Sequence, residues 1–244
     1  MESMRPDRPP RRPVSALLGI LGGMGPLATA HFYRRVIERT PAVVDQEHIP
    51  VLIWADPRMP DRSAALLGEG PSPLPWLTRG ALGLQCAGAS VVAIPCNTAH
   101  AYARDIASRT GIEIVDMIAA SLRDAAASGA QRVGLLATRG TRAARLYERA
   151  AAAHALEIVP VSEELQRDLV DPLIASVKSG RSDAASPMGL LVAELEVLGA
   201  EAVILGCSEL PLARGDGPFP LPLIDSATSL ADASIRRMIA LEGS

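Results

Sequence analysis

The chain has 244 residues, 48% hydrophobic and 21% charged, with a formal net charge of −3, which fits a globular protein with a sizeable core and leaves no electrostatic footprint for a nucleic-acid backbone. Aromatic residues are only 3% and cysteines only three, so neither a base-stacking platform nor a disulfide framework is expected. No apolar run reaches the ~20 residues of a membrane helix and no signal-peptide core opens the chain, so the expectation is a cytoplasmic protein with no membrane or nucleic-acid partner.

Residues 1–14, MESMRPDRPPRRPV, hold four arginines and four prolines and nothing that packs. They read as a disordered tail, or as a start codon placed too early. From Ala16 the pattern changes. LLGILGG is a short apolar run closed by glycines, followed by a helix from Leu27 to about Arg39. Val51–Asp56 (VLIWAD) reads as a second buried strand and Ser90–Cys96 (SVVAIPC) as a third, with a helix over WLTRGALGLQCAG between them. The proline-rich stretch Glu69–Pro75 is a loop with the reach to cover a site. AYARDIASRTG is helical and Ile112–Asp116 strand-like. Strands alternating with helices of this length predict βαβ units and parallel sheets.

The second half repeats this order. Residues 127–141 hold a strand with a glycine-bearing polar end, like LLGILGGMGP. Gly-Ala opens the unit in both CAGASVVAIPCNT and LGAEAVILGCSE, and in each a cysteine follows eight residues after the Gly, at Cys96 and at Cys207. IEIVD, ending in Asp116, is echoed by PLPLID, ending in Asp225. Elements repeated in one order at a nearly constant offset mark an internal duplication. The predicted fold is therefore α/β, with two pseudo-symmetric lobes, each a parallel sheet flanked by helices, and an active site in the cleft between them. Residues 15–116 plus 225–244 would form the lobe carrying Cys96, and residues 117–224 the lobe carrying Cys207.

Ligands of parallel α/β sheets sit beyond the carboxyl ends of the strands, and both Cys96 and Cys207 fall there. A single strand-end cysteine is more often a structural one. Matched positions in a duplicated unit, beside Asn97-Thr98 and Ser208-Glu209, favour chemistry instead. A helix starting after either cysteine would offer N–H groups to a thiolate or a bound carboxylate. Cys86, in a helix and without a counterpart, is assigned to the core. Two opposed thiols suit the inversion of a carbon bearing an acidic C–H: one removes the proton from one face, the other returns a proton to the opposite face, and no cofactor is required.

Three other readings compete. Gly23-Met24-Gly25-Pro26-Leu27-Ala28 fits the loose dinucleotide pattern, although Pro26 lacks an N–H that a phosphate would need, and Asp56 would end the second strand. Cys96 with His100 would make a nucleophilic dyad of a hydrolase, or half a metal site whose other ligands are missing. His31, His48 and His154 show no ligand spacing, so no metal is expected. The third is a non-catalytic binding protein of the same fold.

GGMGPLATA (22–30), DQEH (45–48), PDRSAALLGEG (60–70), PCNTAH (95–100), the GLLAT and GT of 134–141, and GCSELP (206–211) resemble the aspartate/glutamate racemase family, most closely its aspartate racemase branch. The resemblance implies a two-thiol racemase that works without pyridoxal phosphate or any other cofactor on a small amino-acid substrate, usually as a homodimer. It implies that Cys96 and Cys207 are the acid/base pair and that Arg62 and Lys178 bind the side-chain carboxylate. Asn97, Thr98, Thr138, Thr141 and Ser208, together with Glu209 and the backbone at Met24, would bind the rest of the substrate. One departure bears on specificity: Asp56-Pro57-Arg58-Met59 stands where the family commonly has Asn-Pro-Gln-Ile. Arg58 would add charge near Arg62 and Asp56 would offset it, leaving glutamate or a broader set of amino acids as the alternative substrate.

Overall fold

The computed structural model describes residues 16–180, 186–215 and 217–243; the tail expected at residues 1–14 lies outside them. Two four-stranded sheets organise the described chain. The first contains β1 (Leu18–Gly22), β2 (Val51–Ala55), β3 (Val91–Ala93) and β4 (Glu113–Val115), in the order β2-β1-β3-β4. The second contains β5 (Arg132–Ala137), β6 (Glu157–Pro160), β7 (Ala202–Gly206) and β8 (Leu223–Asp225), in the order β6-β5-β7-β8. Every pairing is parallel. Both sheets follow the same permutation, so the repeat in the sequence is a repeat of topology.

Parallel sheets need helices on both faces, and their central strands are therefore apolar throughout. β1 and β7 are buried at every position. One face of the first sheet meets the helices Pro26–Arg39 and Ser226–Glu242, whose Phe32, Val36, Leu230 and Met238 pack on Leu18 and Ile20. The other face meets the helix Leu74–Cys86 through Leu77, Ala81 and Leu84. The second sheet is covered by Met117–Ala127 and Leu146–Ala151 on one side, and by Asp171–Lys178 and Met188–Val197 on the other. The helix after β4 thus crosses to the second sheet, and the helix after β8 returns to the first. The matched aspartates start these two crossing helices. Asp116 accepts a hydrogen bond from the Ala119 N–H at 3.0 Å and Asp225 one from the Ala227 N–H at 2.9 Å, caps that contribute about 1 kcal/mol each.

Four expectations need correction. The run at β2 is not a buried strand but an edge strand, with Ile53 43% and Trp54 36% exposed. Apolar letters alone do not reveal which strand lacks an outer neighbour. β3 stops at Ala93, short of the expected Cys96, because Pro95 has no N–H to give to a ladder. The helix expected from Trp76 begins at Leu74, with a proline in its first turn, where the missing N–H costs nothing. Cys86 ends that helix and is exposed, so it is not part of the core.

The turn after β1 sets the first wall of the cleft. Gly23 has φ +90, and a Cβ built there would lie 2.5 Å from the Asp56 backbone nitrogen. Thr29 staples the turn, its Oγ1 accepting from the Gly23 N–H at 2.9 Å and donating to the Gly25 carbonyl at 2.8 Å. Gly23→Ala should therefore destabilise the protein by about 1–3 kcal/mol, through both the left-handed backbone and the backbone clash. A shift of the urea midpoint at constant slope is the expected result, and an unchanged midpoint would contradict it.

Candidate active site

Cys96 lies just beyond β3 and Cys207 directly after β7, each 5% exposed. Both lead into 3₁₀ turns, Asn97–Tyr102 and Leu210–Ala213, rather than α-helices. The two cysteines line one narrow cavity of about 10 Å³ with Met24, Arg62, Asn97, Thr98, Thr138, Lys178, Ser208 and Glu209. Past Met24, Asp61, Arg62, Lys178 and Glu209 the space widens into a mouth of about 280 Å³, walled by Leu27, Pro57, Met59 and Val177. The narrow part has room for about one water molecule. Every site residue expected from the sequence lines it except Thr141, which is fully buried behind it.

Glu209 is the hub of the Cys207 side. Its carboxylate accepts from the Cys207 thiol at 3.0 Å, from the Ser208 hydroxyl at 3.4 Å and, across the cleft, from the Gly25 N–H at 3.1 Å. It also lines the cavity. A carboxylate also occupies the Gly25 N–H, one of the donors on which a dinucleotide phosphate would depend. Burial, and then the Glu209 charge, push the Cys207 thiol well above its ordinary pKa, against the opposing pull of Lys178. Cys207 is therefore a proton-bearing thiol near neutral pH.

The same cavity also carries two cations, Arg62 and Lys178. Arg62 opens the short helix Arg62–Leu66 and is only 9% exposed. One of its terminal N–H groups reaches the Pro60 carbonyl at 3.1 Å, while its buried Nε has no hydrogen-bond partner. Lys178 is the last residue of the helix Asp171–Lys178. That helix is held against the end of β5 by Gln166, which sits in a preceding π turn and donates to the Ala137 carbonyl at 3.0 Å. Asp61 was not anticipated from the sequence, although Asp-Arg-Ser ahead of a helical stretch is a recognisable N-cap. It accepts from the Ala64 N–H at 2.8 Å. Burial acts to raise the pKa of its carboxyl, but the Ala64 N–H and the charge of Lys178 prevail and hold it below the ordinary value.

Hydroxyls close the floor. Thr98 contacts Thr138 at 2.9 Å and Thr141 at 3.0 Å, and Thr138 and Thr141 are themselves 3.0 Å apart. Asn97 is engaged by the protein: its Oδ1 accepts from Tyr147 at 2.5 Å and its Nδ2 donates to Ser226 at 3.0 Å. Neither Tyr147 nor Ser226 carried a local signal, because each is distant in sequence from Asn97. His100 is buried with its Nε2 on the Ile94 carbonyl at 3.1 Å, and burial pushes its pKa down. No hydrogen bond among the described residues joins that ring to Cys96; its Nε2 is held by the backbone just after β3. Arg58 is 84% exposed and paired with Asp56 at 2.9 Å, so it adds no charge to the cleft. Among the described residues, no group of three or more His, Cys, Asp or Glu is placed to hold a metal ion, and no helix is long and apolar enough to cross a membrane.

Two equivalent parallel lobes, each with a cysteine beyond its third strand and both opening on one cleft, define the class of protein. The profile of the Asp/Glu/hydantoin racemase family matches residues 21–233; the chain belongs to that family and is accordingly an isomerase. The broad specificity amino-acid racemase of Bacillus subtilis is 22% identical over 233 residues, which cover 93% of this chain and 100% of that protein. The glutamate racemase of Mycobacterium leprae is 33% identical over 174 residues, 65% of this chain and 61% of that protein. Among solved structures, Picrophilus torridus aspartate racemase superposes with a TM-score of 0.76 at 26% identity, covering 91% of this chain and 94% of that one. The glutamate racemase of Francisella tularensis, in complex with D-glutamate, shares the fold with a TM-score of 0.67 at 17% identity, covering 93% and 82%.

The Glu209 contact has a measurable consequence. Because burial comes first and the Glu209 charge second in raising the Cys207 pKa, Glu209→Gln should lower that pKa without restoring the ordinary value. The pH profile of Cys207 alkylation should then move to lower pH in the variant. An unmoved profile would show that Glu209 does not govern the thiol.

Proposed function

We propose that the protein is a cofactor-independent racemase that interconverts L- and D-aspartate by two-base proton transfer at Cα. The observation that carries this reading is that Cys96 and Cys207, matched residues of the two lobes, line a single cavity. One sulfur, as thiolate, takes the Cα proton, and the electron pair of the broken C–H bond delocalises into the α-carboxylate. The thiol on the other side then gives up its proton to the opposite face of Cα, leaving the two sulfurs with exchanged roles. Glu209 would take up and return the Cys207 proton, a role their 3.0 Å contact supports. Hydroxyls of Thr98, Thr138 and Ser208 would hold the α-carboxylate, with Thr141 supporting the threonines, and so favour the charge that develops on it.

Arg62 selects for a second carboxylate. A guanidinium that is only 9% exposed, with a buried Nε lacking a partner, carries a desolvation cost that an anionic ligand would offset. Lys178 adds a second positive charge to the same lining. The mouth beside Met59 and Leu27, about 280 Å³ in volume, favours glutamate or other longer amino acids as the second reading of the same chemistry. We also take the protein to be a cytoplasmic homodimer. The open edge of β2, with Ile53 and Trp54 exposed, supports a second copy as its cover, and light scattering of the intact chain tests it against a mass of 25.6 kDa per protomer.

Chiral chromatography of L-aspartate incubated with the protein alone tests the activity. Cys96→Ala and Cys207→Ala should each lower racemisation at least about a hundredfold, the scale of one lost acid/base group. Full activity in either variant would overturn the paired-thiol mechanism. Arg62→Ala should lower kcat/KM for aspartate about ten- to a hundredfold, the scale of a lost charged hydrogen bond. Unchanged aspartate kinetics would remove Arg62 from the substrate site.

A further inference from the structure

Tyr147 lies on the helix Leu146–Ala151 of the second lobe and is fully buried. Most of it is core: its ring packs with Leu135, Ile204 and Ile118. Its hydroxyl is the exception. That O–H donates to Asn97 Oδ1 at 2.5 Å. Asn97 Nδ2 in turn donates to Ser226 Oγ at 3.0 Å, and Ser226 Oγ donates to the Leu205 carbonyl at 2.7 Å. The chain therefore starts beside Cys96, passes through the first residue of the returning helix, and ends on β7 two residues before Cys207. The ring closes the same circuit from the other side, because a Cβ at Gly206 would lie 3.2 Å from Tyr147 Cε2. One side chain thus touches the residue after one cysteine and the residue before the other.

We propose that Tyr147 is a positioning residue that fixes, through Asn97, where Cys96 stands relative to Cys207. The proposal rests on the two-cysteine reading above. A phenol suits this task because it supplies one donor and a rigid apolar body, and burial favours its neutral form. Without the hydroxyl, Asn97 Oδ1 is left buried and unpaired. The amide then turns to find a new partner, and the Cys96-Asn97 peptide moves with it. Packing would be nearly untouched, since phenylalanine keeps the ring. Displacements of the order of 1 Å at a reacting group cost up to about a hundredfold in rate.

The test uses a ratio that does not depend on how much of the protein is active. A carbanion formed by one sulfur is protonated either by the opposite sulfur, which inverts it, or by the same sulfur, which returns the original enantiomer. In heavy water the returning sulfur carries deuterium once it has exchanged with solvent. Loss of the Cα–H signal in unconverted enantiomer, divided by inversion measured on a chiral column, reports this partition. In Tyr147→Phe, inversion should fall about ten- to a hundredfold. The exchange-to-inversion ratio should rise several-fold for the enantiomer whose return does not involve Cys96. Ser226→Ala, which cuts the same chain at its next link, should move the ratio the same way and serves if Tyr147→Phe does not fold. A ratio equal to that of the unaltered protein, at any rate, would overturn the positioning role alone. Absence of both inversion and exchange in the unaltered protein would overturn the racemase reading itself.

Discussion

Two apolar lobes pack through the helix pair Met117–Ala127 and Ser226–Glu242, and beside that contact a seam of buried polar groups fixes how they dock. It consists of the three threonine hydroxyls, the Tyr147–Asn97–Ser226 chain, and the Glu209 carboxylate on the Gly25 N–H. Hydrophobic burial is non-directional and would tolerate many relative orientations of the lobes. Buried hydroxyls and amides do not, because each unpaired donor or acceptor costs free energy that the burial around it does not return. The seam therefore admits one docking, and that docking brings two strand ends from different halves of the chain to a common cavity.

Charge is distributed along that cavity in a consistent way. Negative charge, on Glu209, sits beside Cys207 and favours the protonated thiol. Positive charge, on Arg62 and Lys178, lines the same cavity beside Asp61, which caps its own helix. The Asp56–Arg58 pair, conspicuous in the sequence, satisfies itself at the surface. Hydroxyls, cations and both sulfurs thus share the lining of one cavity.

The crossing of the last helices ties this arrangement to the fold. Each lobe lends its closing helix to the other sheet, and each of those helices begins at a capping aspartate at the end of the fourth strand or directly after it. Ser226, the first residue of the returning helix, is also the middle link of the hydrogen-bond chain between the cysteines. Lobe docking and cysteine placement therefore share residues, so a change in one is felt in the other.

The repeat of Gly-Ala and cysteine, the alternation of apolar runs with helical stretches, and the turn glycines were sufficient for the fold class, because they are local patterns that burial and backbone geometry translate directly into strands, helices and their order. The same patterns picked out Cys96, Cys207 and the hydroxyl residues beside them, which lie where parallel strands end. What they could not carry was anything set by partners distant in the chain. β2 reads like a central strand and is an edge; Cys86 reads like core and is exposed; Arg58 reads like a cleft charge and is paired outside. Tyr147 carries no signal at all until Asn97, fifty residues away, meets its hydroxyl. Local propensity follows from neighbours along the chain, whereas exposure, pairing and the state of a buried thiol follow from what the tertiary fold places within a few ångströms, and only the structure decides that.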